Sequence, residues 1–239
     1  MENKVLTYYA LYKFNQEFFN LNKKDKGNII DNFCTCITEV GTTTWFYQVS
    51  PSISEYDILV WSNIEVTELS SIDTFMLAMG TAVNKFRQYI LPSKTLWGMT
   101  KPSQYSKAKK SAQELDPFTP DRKPYFVIYP FSKTADWYLK SREQRQEMMN
   151  GHIVIGKKYT DITQLLLYSF GIQDQEFVVA YEMEDMSLFS DLVYELRMTE
   201  ARLFTLNDTP IIMGIYRSVD ELKNIYKSSL SALDLPTNN

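Results

Sequence analysis

The chain has 239 residues, 44% of them hydrophobic and 23% charged, with a net charge of −4 and a pI near 5.2. This composition is typical of a globular protein with a sizeable core, and the acidic balance argues against a nucleic-acid surface, because phosphate binding needs a basic face. No apolar run approaches the roughly 20 residues that span a membrane, and no signal-peptide pattern is present. We therefore expect a cytoplasmic protein.

The first half alternates between strand and helix patterns. The predicted elements are a strand at 5–14, a helix at 23–40, strands at 43–49 and 56–64, a helix at 71–90 and a strand at 95–100. Cys34 and Cys36 fall on the first helix, one residue apart. That spacing is too short for an easy disulfide and differs from a CxxC redox motif, so we interpret both as small, partly buried helix residues.

The second half repeats this order. A strand is predicted at 125–131, a helix from Ser141, strands at 164–170 and 176–182, a helix at 187–204 and a strand at 211–217. Gln144, three residues after Ser141, completes a capping box. The repeated order predicts an α+β protein with two ferredoxin-like βαββαβ halves, at residues 1–110 and 111–239.

Histidine occurs once, as His152, on the helix predicted from Ser141. Any histidine chemistry must use this residue, and a two-histidine metal site or a Ser-His-Asp site elsewhere is excluded. A lone histidine on a partly apolar helix face is more often structural than a ligand, so both interpretations stay open. Gly151 and Gly156 are costly helix residues, which indicates either a close approach to the backbone or the end of the helix.

Tyr129 and Lys133 lie where the strand at 125–131 ends. Tyrosine can lose an electron or donate a proton and lysine can bind a carboxylate, although a rim aromatic and a solvated amine would look the same. Glu182, Glu184 and Asp185 come at a strand–helix junction, where carboxylates favour a helix N-terminus, so we interpret them as capping residues. With 8 glycines and no GxGxxG or Walker pattern, a nucleotide enzyme is not expected.

Several short motifs in the second half together resemble a known family. They are Tyr129-Pro130-Phe131-Ser132-Lys133-Thr134, Trp137-Tyr138, His152 with Ile155-Gly156-Lys157 and Tyr159, Ser169-Phe170-Gly171, Asp174-Gln175-Glu176-Phe177, Leu196-Arg197-Met198-Thr199-Glu200-Ala201-Arg202, Thr209-Pro210, Gly214 and, more weakly, 99–105. Together these motifs resemble the chlorite dismutase family, and within it the coproheme decarboxylases and their heme-dependent peroxidase relatives. The resemblance implies a dimeric α+β barrel type of subunit, usually assembled as a homopentamer.

The resemblance also implies site roles. His152 matches the ligand of the heme iron, and Glu200 matches a carboxylate that would hold the other imidazole nitrogen. Tyr129 matches the tyrosine that becomes a radical and attacks a propionate, and Lys133 the lysine that assists a second propionate. Gln164 falls at the position opposite the iron ligand. Matches of cofactor-binding residues are Tyr105, Lys157 and Thr209.

Two departures accompany these matches. The segment 114–118 has no equivalent of the propionate-binding arginine found there in the decarboxylases, and lysine at 157 replaces the more common arginine. Gln164 stands where chlorite dismutases carry an arginine that can hold an anion near the iron, which disfavours chlorite decomposition.

The resemblance therefore implies a heme-binding oxidoreductase that converts iron coproporphyrin III to heme b with hydrogen peroxide. Its cofactor would be heme, as iron coproporphyrin III or heme b, and its partners porphyrin and peroxide. The alternatives are a heme-dependent peroxidase of unknown substrate and a heme-binding protein without turnover.

Overall fold

The computed structural model describes residues 4–105 and 113–229. The chain forms two compact units, one from Met1–Leu96 with Gly214–Asn239 and the other from Trp97–Met213. The predicted boundary at 110/111 lies outside the described residues. The described residues after 213, which the sequence prediction assigned to the second half, group with the first unit. The prediction of a mixed α+β fold with antiparallel strands is confirmed.

The first unit follows the predicted order. It contains β1 (Lys4–Phe14), α1 (Gln16–Asn20), α2 (Lys23–Thr38), β2 (Thr43–Gln48), β3 (Ile58–Val66), α3 (Ser71–Asn84), most of β4 (Ile90–Met99) and α7 (Val219–Lys227). β1 and β2 pair antiparallel on either side of β3. As predicted, Cys34 is buried, Cys36 is partly buried, and both are free thiols on α2.

One boundary in this unit was predicted wrongly. The helix at 71–90 ends at Asn84, and Ile90 already belongs to β4. Phe86 and Ile90 are both buried. Their spacing of four mimics a helix face, although turns at 85–89 separate them.

The second unit contains β5 (Tyr125–Lys133), α4 (Ala135–Leu139), α5 (Arg142–Gly156), β6 (Thr163–Tyr168), β7 (Phe177–Met183), α6 (Met186–Arg197), a 3-10 helix (Glu200–Phe204) and β8 (Thr205–Asn207). The last strand, β9 (Ile212–Tyr216), contains the boundary between the units. β7 lies between β5 and β6 and is antiparallel to both. The short elements α1, α4 and β8 were not predicted.

Side chains from three strands share one face of this sheet, because alternate residues point to the same side. Tyr181 pairs with Gln164 of β6 and with Val127 of β5, and Val179 pairs with Leu166 and Tyr129. The next row along the same face is Tyr168, Phe177 and Phe131. The strand register therefore brings Val127 and Tyr181, which are 54 positions apart in sequence, onto one surface.

Capping determines where the helices of the second unit begin. The Ser141 side chain accepts from the Gln144 backbone, the Gln144 side chain accepts from the Ser141 backbone, and the predicted capping box is confirmed. Asp185 caps α6 as predicted, but Glu182 is a buried residue of β7 that pairs with Arg122 at 3.5 Å. Capping was the wrong role for Glu182, because β7 extends past it to Met183.

The single helix predicted at 187–204 is interrupted. α6 ends at Arg197, and Thr199 has an extended backbone before the 3-10 helix. The Thr199 hydroxyl donates to the Leu196 carbonyl at 2.7 Å. Side-chain bonds of this kind compete with helical backbone bonds and favour helix ends.

Gly98 marks a close approach between β4 and the end of β6. A Cβ atom at this position would lie 2.6 Å from Ser169 Oγ and 2.7 Å from the Tyr168 carbonyl oxygen. Ser169 Oγ donates to the neighbouring Trp97 carbonyl at 2.6 Å, and Met99 pairs with Tyr168. Only a residue without a side chain leaves room for this arrangement.

Candidate functional site

The second unit contains a cavity of about 1170 Å³. Its walls include the shared face of β5, β6 and β7 and residues of the helices α5 and α6. Typical small-molecule sites have volumes of about 300–1,000 Å³, so the cavity suits a large ligand. Ten aromatic side chains line it, namely Tyr105, Tyr129, Phe131, Trp137, Tyr138, Tyr168, Phe170, Phe177, Tyr181 and Phe189. A broad aromatic lining of this kind favours a flat, apolar ligand body.

The charges around the cavity are mostly positive. Among the described residues, its cationic lining side chains are Lys101, Lys133, Arg145, Lys157, Arg197 and Arg202, and its carboxylates are Glu114 and Asp208. The whole chain, in contrast, has a net charge of −4. An excess of cations in a cavity of an acidic chain favours a ligand that carries negative groups.

His152 lies on α5 and lines this cavity. Burial, and secondarily the nearby Lys133 charge, lowers the pKa of its imidazole to about 4. The ring is therefore neutral at neutral pH and retains a lone pair for a metal. Its Nδ1 atom is buried and has no hydrogen-bond partner among the described residues.

Lys133, at the end of β5, is held by its surroundings. Its Nζ donates to the Ala201 carbonyl at 3.0 Å and to Thr205 Oγ1 at 3.3 Å, and it lies 4.8 Å from the centre of the Trp137 ring. Burial lowers the pKa of this amine to about 8, with a further contribution from the Arg202 charge. The amine can therefore change its protonation state just above neutral pH.

Tyr129 lies beside Tyr181, a residue that was not predicted from the sequence. The two rings are nearly parallel, with centroids 6.1 Å apart, and their hydroxyl groups share a hydrogen bond. Burial raises the pKa of both phenols. Tyr181 could not be found from spacing, because its position opposite Gln164 and Val127 depends on strand register.

Gln164, Tyr105 and Lys157 also line the cavity. Gln164 lies on the strand face that carries Tyr181. The backbone carbonyl of Tyr105 accepts a hydrogen bond from Gln146 Nε2 of α5 at 3.3 Å. Lys157, at the end of α5, is exposed. With His152, Tyr129 and Lys133, six of the eight residues predicted for the site thus share one cavity.

Glu200 and Thr209 are placed elsewhere. Glu200 begins the 3-10 helix, is exposed, and makes no hydrogen bond to the Nδ1 atom of His152. Thr209 is exposed and donates its hydroxyl to Asn207 Oδ1 at 2.9 Å. Neither residue belongs to the cavity lining. Their proposed contacts with the imidazole and with the cofactor therefore stay predictions.

Six charged lining residues were missed, namely Lys101, Glu114, Arg145, Arg197, Arg202 and Asp208. The Asp208 carboxylate binds both Arg197 at 2.7 Å and Arg202 at 2.8 Å. Arg145 lies on α5, and its buried Nε has no hydrogen-bond partner among the described residues. The sequence did contain a signal for Arg145, because a residue seven positions before His152 shares its helix face.

Two other features are absent from the described residues: a metal-binding cluster of side chains and a membrane-spanning helix. Within residues 4–105 and 113–229, no group of three or more His, Cys, Asp or Glu residues could hold a metal ion. In the same part of the chain, every helix is too short or too polar to cross a membrane.

Sequence comparison identifies the family. The chlorite dismutase family model matches residues 26–217. A coproheme decarboxylase of Mycolicibacterium smegmatis is 24% identical over 205 residues, which cover 83% of this chain and 85% of the relative. A coproheme decarboxylase of Staphylococcus carnosus is 32% identical over 161 residues, which cover 60% of this chain and 61% of the relative. The chain belongs to the chlorite dismutase family.

A solved structure shows the same fold. The chlorite dismutase of Candidatus Nitrospira defluvii in complex with imidazole has a TM-score of 0.80 to this chain. The similarity covers 95% of this chain and 97% of that protein, with 17% sequence identity. At this identity the likeness supports the fold and not the reaction.

Proposed function

We propose that this protein is a heme-binding oxidoreductase that removes carboxyl groups from iron coproporphyrin III with hydrogen peroxide to give heme b. One observation carries the proposal: a neutral histidine, a partly buried tyrosine and a lysine of lowered pKa line the same cation-rich cavity. The coproheme decarboxylases among its relatives support the choice of substrate.

The cavity fits an iron porphyrin. His152 would hold the iron, because its imidazole is neutral at neutral pH and one of its buried nitrogens has no partner among the described residues. The ten lining aromatics would pack on the macrocycle, and the cationic residues would attract its propionates. When bound, the iron porphyrin supplies the oxidising chemistry that uses peroxide.

Tyr129 would carry out the step on the propionate. It would lose its phenolic hydrogen as a proton and an electron, and then take a hydrogen atom from the propionate chain. The propionate side chain would then release carbon dioxide and one more electron to form a vinyl group. The two electrons and one proton released per carboxylate, with one further proton from solvent, would reduce one peroxide to two waters. Lys133 would orient the carboxylate through its amine.

Gln164 would make the cavity less suited to small oxyanions. Its amide is a neutral donor and acceptor, whereas an arginine in its place would offer a fixed positive charge. We therefore propose decarboxylation over chlorite decomposition.

The test is mass spectrometry of the porphyrin after the purified protein is mixed with iron coproporphyrin III and limiting peroxide. We expect stepwise loss of two carboxyl groups. The variant Tyr129→Phe should bind the porphyrin with unchanged affinity but form no product. As a matched control, Tyr159→Phe removes a hydroxyl that bonds to Glu195 at 2.8 Å, outside the cavity lining, and should retain turnover.

Other outcomes would favour other functions. Product formation by Tyr129→Phe would contradict the tyrosine mechanism. Bleaching or peroxide consumption with an intact porphyrin would indicate a heme-dependent peroxidase. Binding without any peroxide reaction would indicate a heme-binding protein without turnover.

A further inference from the structure

Arg145 and His152 lie on the same face of α5. Seven residues separate them, which is two helical turns and about 10.5 Å along the axis. Met149, one turn from each, also lines the cavity, so this face of the helix points to the ligand space. The two side chains therefore present nitrogen groups to one cavity from a single rigid element.

Arg145 differs in its contacts from Lys133, Arg197 and Arg202, which also line the cavity. Arg197 and Arg202 share the Asp208 carboxylate, and the Lys133 amine has two hydrogen-bond acceptors. The Nε atom of Arg145 is buried without a hydrogen-bond partner, and no ion pair is found for its side chain among the described residues. A buried guanidinium nitrogen without an acceptor is unfavourable. A ligand that supplies an acceptor would therefore be stabilised by this atom.

Two tyrosines surround this guanidinium. Burial raises the pKa of Tyr105 and of Tyr138, whereas the Arg145 charge opposes the rise in both, so the guanidinium is near both phenols. Glu176 forms no ion pair with Arg145 among the described residues, and its Oε2 atom accepts from the Tyr138 hydroxyl at 2.5 Å and from the Lys133 backbone at 2.7 Å. The Tyr138 hydroxyl is therefore already engaged, and the guanidinium keeps its positive charge for an incoming anion.

We infer that Arg145 binds one carboxylate of the cavity's ligand and helps to determine which ligand is accepted. A guanidinium can hold a carboxylate through two parallel hydrogen bonds, which adds direction as well as attraction. The inference rests on the proposed function, because the expected ligand, iron coproporphyrin III, bears four carboxylates. Arg145 would anchor one carboxylate while His152 holds the iron.

The test uses iron-free coproporphyrin III, so that metal binding to His152 makes no contribution. Its dissociation constant is measured by fluorescence for the wild-type protein and for Arg145→Gln, Arg145→Lys and Arg142→Gln. The control Arg142 lies on the same helix, is exposed, does not line the cavity, and also lies near enough to Tyr105 to affect its pKa. The Arg142→Gln substitution therefore removes the same charge without removing a side chain that lines the cavity.

We expect Arg145→Gln to weaken binding about 10- to 100-fold, as for loss of a charge-assisted hydrogen bond. Arg145→Lys should lose less, because it keeps the charge but not the paired bonds, and Arg142→Gln should change binding less than about twofold. The ligand-free Arg145→Gln protein should unfold at or above the wild-type temperature, because a buried guanidinium nitrogen without an acceptor has been removed.

The alternatives are distinguishable. Wild-type affinity in both Arg145 variants would overturn the inference, as would equal losses in Arg145→Gln and Arg142→Gln. A lower unfolding temperature of ligand-free Arg145→Gln would indicate a structural contribution; the affinity of Arg145→Lys then decides, and wild-type affinity in that variant would overturn the inference. Arg145-dependent binding without decarboxylation would sustain this inference and reject the proposed function. A wild-type protein that does not bind the porphyrin would reject both.

Discussion

Tyr129 and Tyr181 are diagonal neighbours on adjacent antiparallel strands, with stacked rings 6.1 Å apart and a shared hydroxyl hydrogen bond. Such diagonal pairs lie within reach of aromatic side chains. Tyr181 is 6% exposed, whereas Tyr129 lies at the cavity wall. The buried member of the pair therefore limits the rotation of the member that would react.

Replacing Tyr181 by Phe keeps the stacked ring and removes the hydroxyl. The Tyr129 hydroxyl then loses its partner, and because the bond to Tyr181 lowers the pKa of Tyr129, that pKa should rise. We expect a loss of about 1 kcal/mol in the free energy of unfolding, measured in urea. The phenol can be titrated separately through a fluorinated tyrosine at position 129. An unchanged titration in Tyr181→Phe would show that the pair is not coupled.

His152 can be observed directly, because its ring gives the only histidine signals in the NMR spectrum. We expect its pKa to lie near 4, below its usual 6.5, since burial disfavours the charged ring. A value near 6.5 in the folded ligand-free protein would contradict the burial shown here.

The same shift predicts a pH dependence of stability. Above pH 6.5 the ring is neutral in both states, and between pH 6.5 and 4 the unfolded chain takes up the proton first. As the pH is lowered from 6.5 to 4, the free energy of unfolding should therefore fall by up to about 3 kcal/mol. Below pH 4 this residue should cause no further loss. Urea unfolding of His152→Asn against the wild type isolates the effect, because carboxylates titrate in both proteins.

Lys133 should titrate near pH 8, because burial and the Arg202 charge both disfavour its protonated form. Removing that charge in Arg202→Gln should raise the pKa of the amine, measured by NMR with labelled lysine. Arg197→Gln is the matched control: it breaks the other ion pair to Asp208, and the Arg197 charge is not among the causes of the Lys133 shift. Equal shifts in both variants would contradict the assignment to Arg202.

Ser141→Ala should remove the capping box that begins α5 and destabilise the protein by about 1 kcal/mol. Amide hydrogen exchange should increase first in the opening turns of α5, near Arg145. Ser218→Ala removes the equivalent box of α7 in the other unit. It should lower stability without affecting exchange in α5.

Local patterns were sufficient for most elements but not for the site's supporting residues. The capping box at Ser141 and the strand at 125–131 depend on neighbouring residues, so the sequence predicted them correctly. Tyr181 depends on strand register, and Asp208 depends on ion pairs with Arg197 and Arg202 that form where the chain turns after β8; no periodicity reveals either. The break at Thr199 was missed because a side-chain hydrogen bond overrides an otherwise helical pattern.

For Glu200, the predicted contact with the imidazole stays a prediction. A motif match assigned it to the imidazole, but the side chain is exposed and makes no hydrogen bond to the Nδ1 atom of His152. A matching letter transfers the position of a residue along the chain and not its rotamer or its neighbours. Lys133, in contrast, was matched by the same motifs and does lie near the histidine, whose pKa it lowers.

Gly98 carries no functional atom, yet it controls the margin of the cavity. Any side chain there would collide with Ser169 and the Tyr168 backbone, and Tyr168 lines the cavity. Even a methyl group would have to move the end of β6, and with it the ring that borders the ligand space. Among the described glycines of this unit, Gly98 is the one at which an added Cβ atom would meet the closest contacts, although it carries no reactive group.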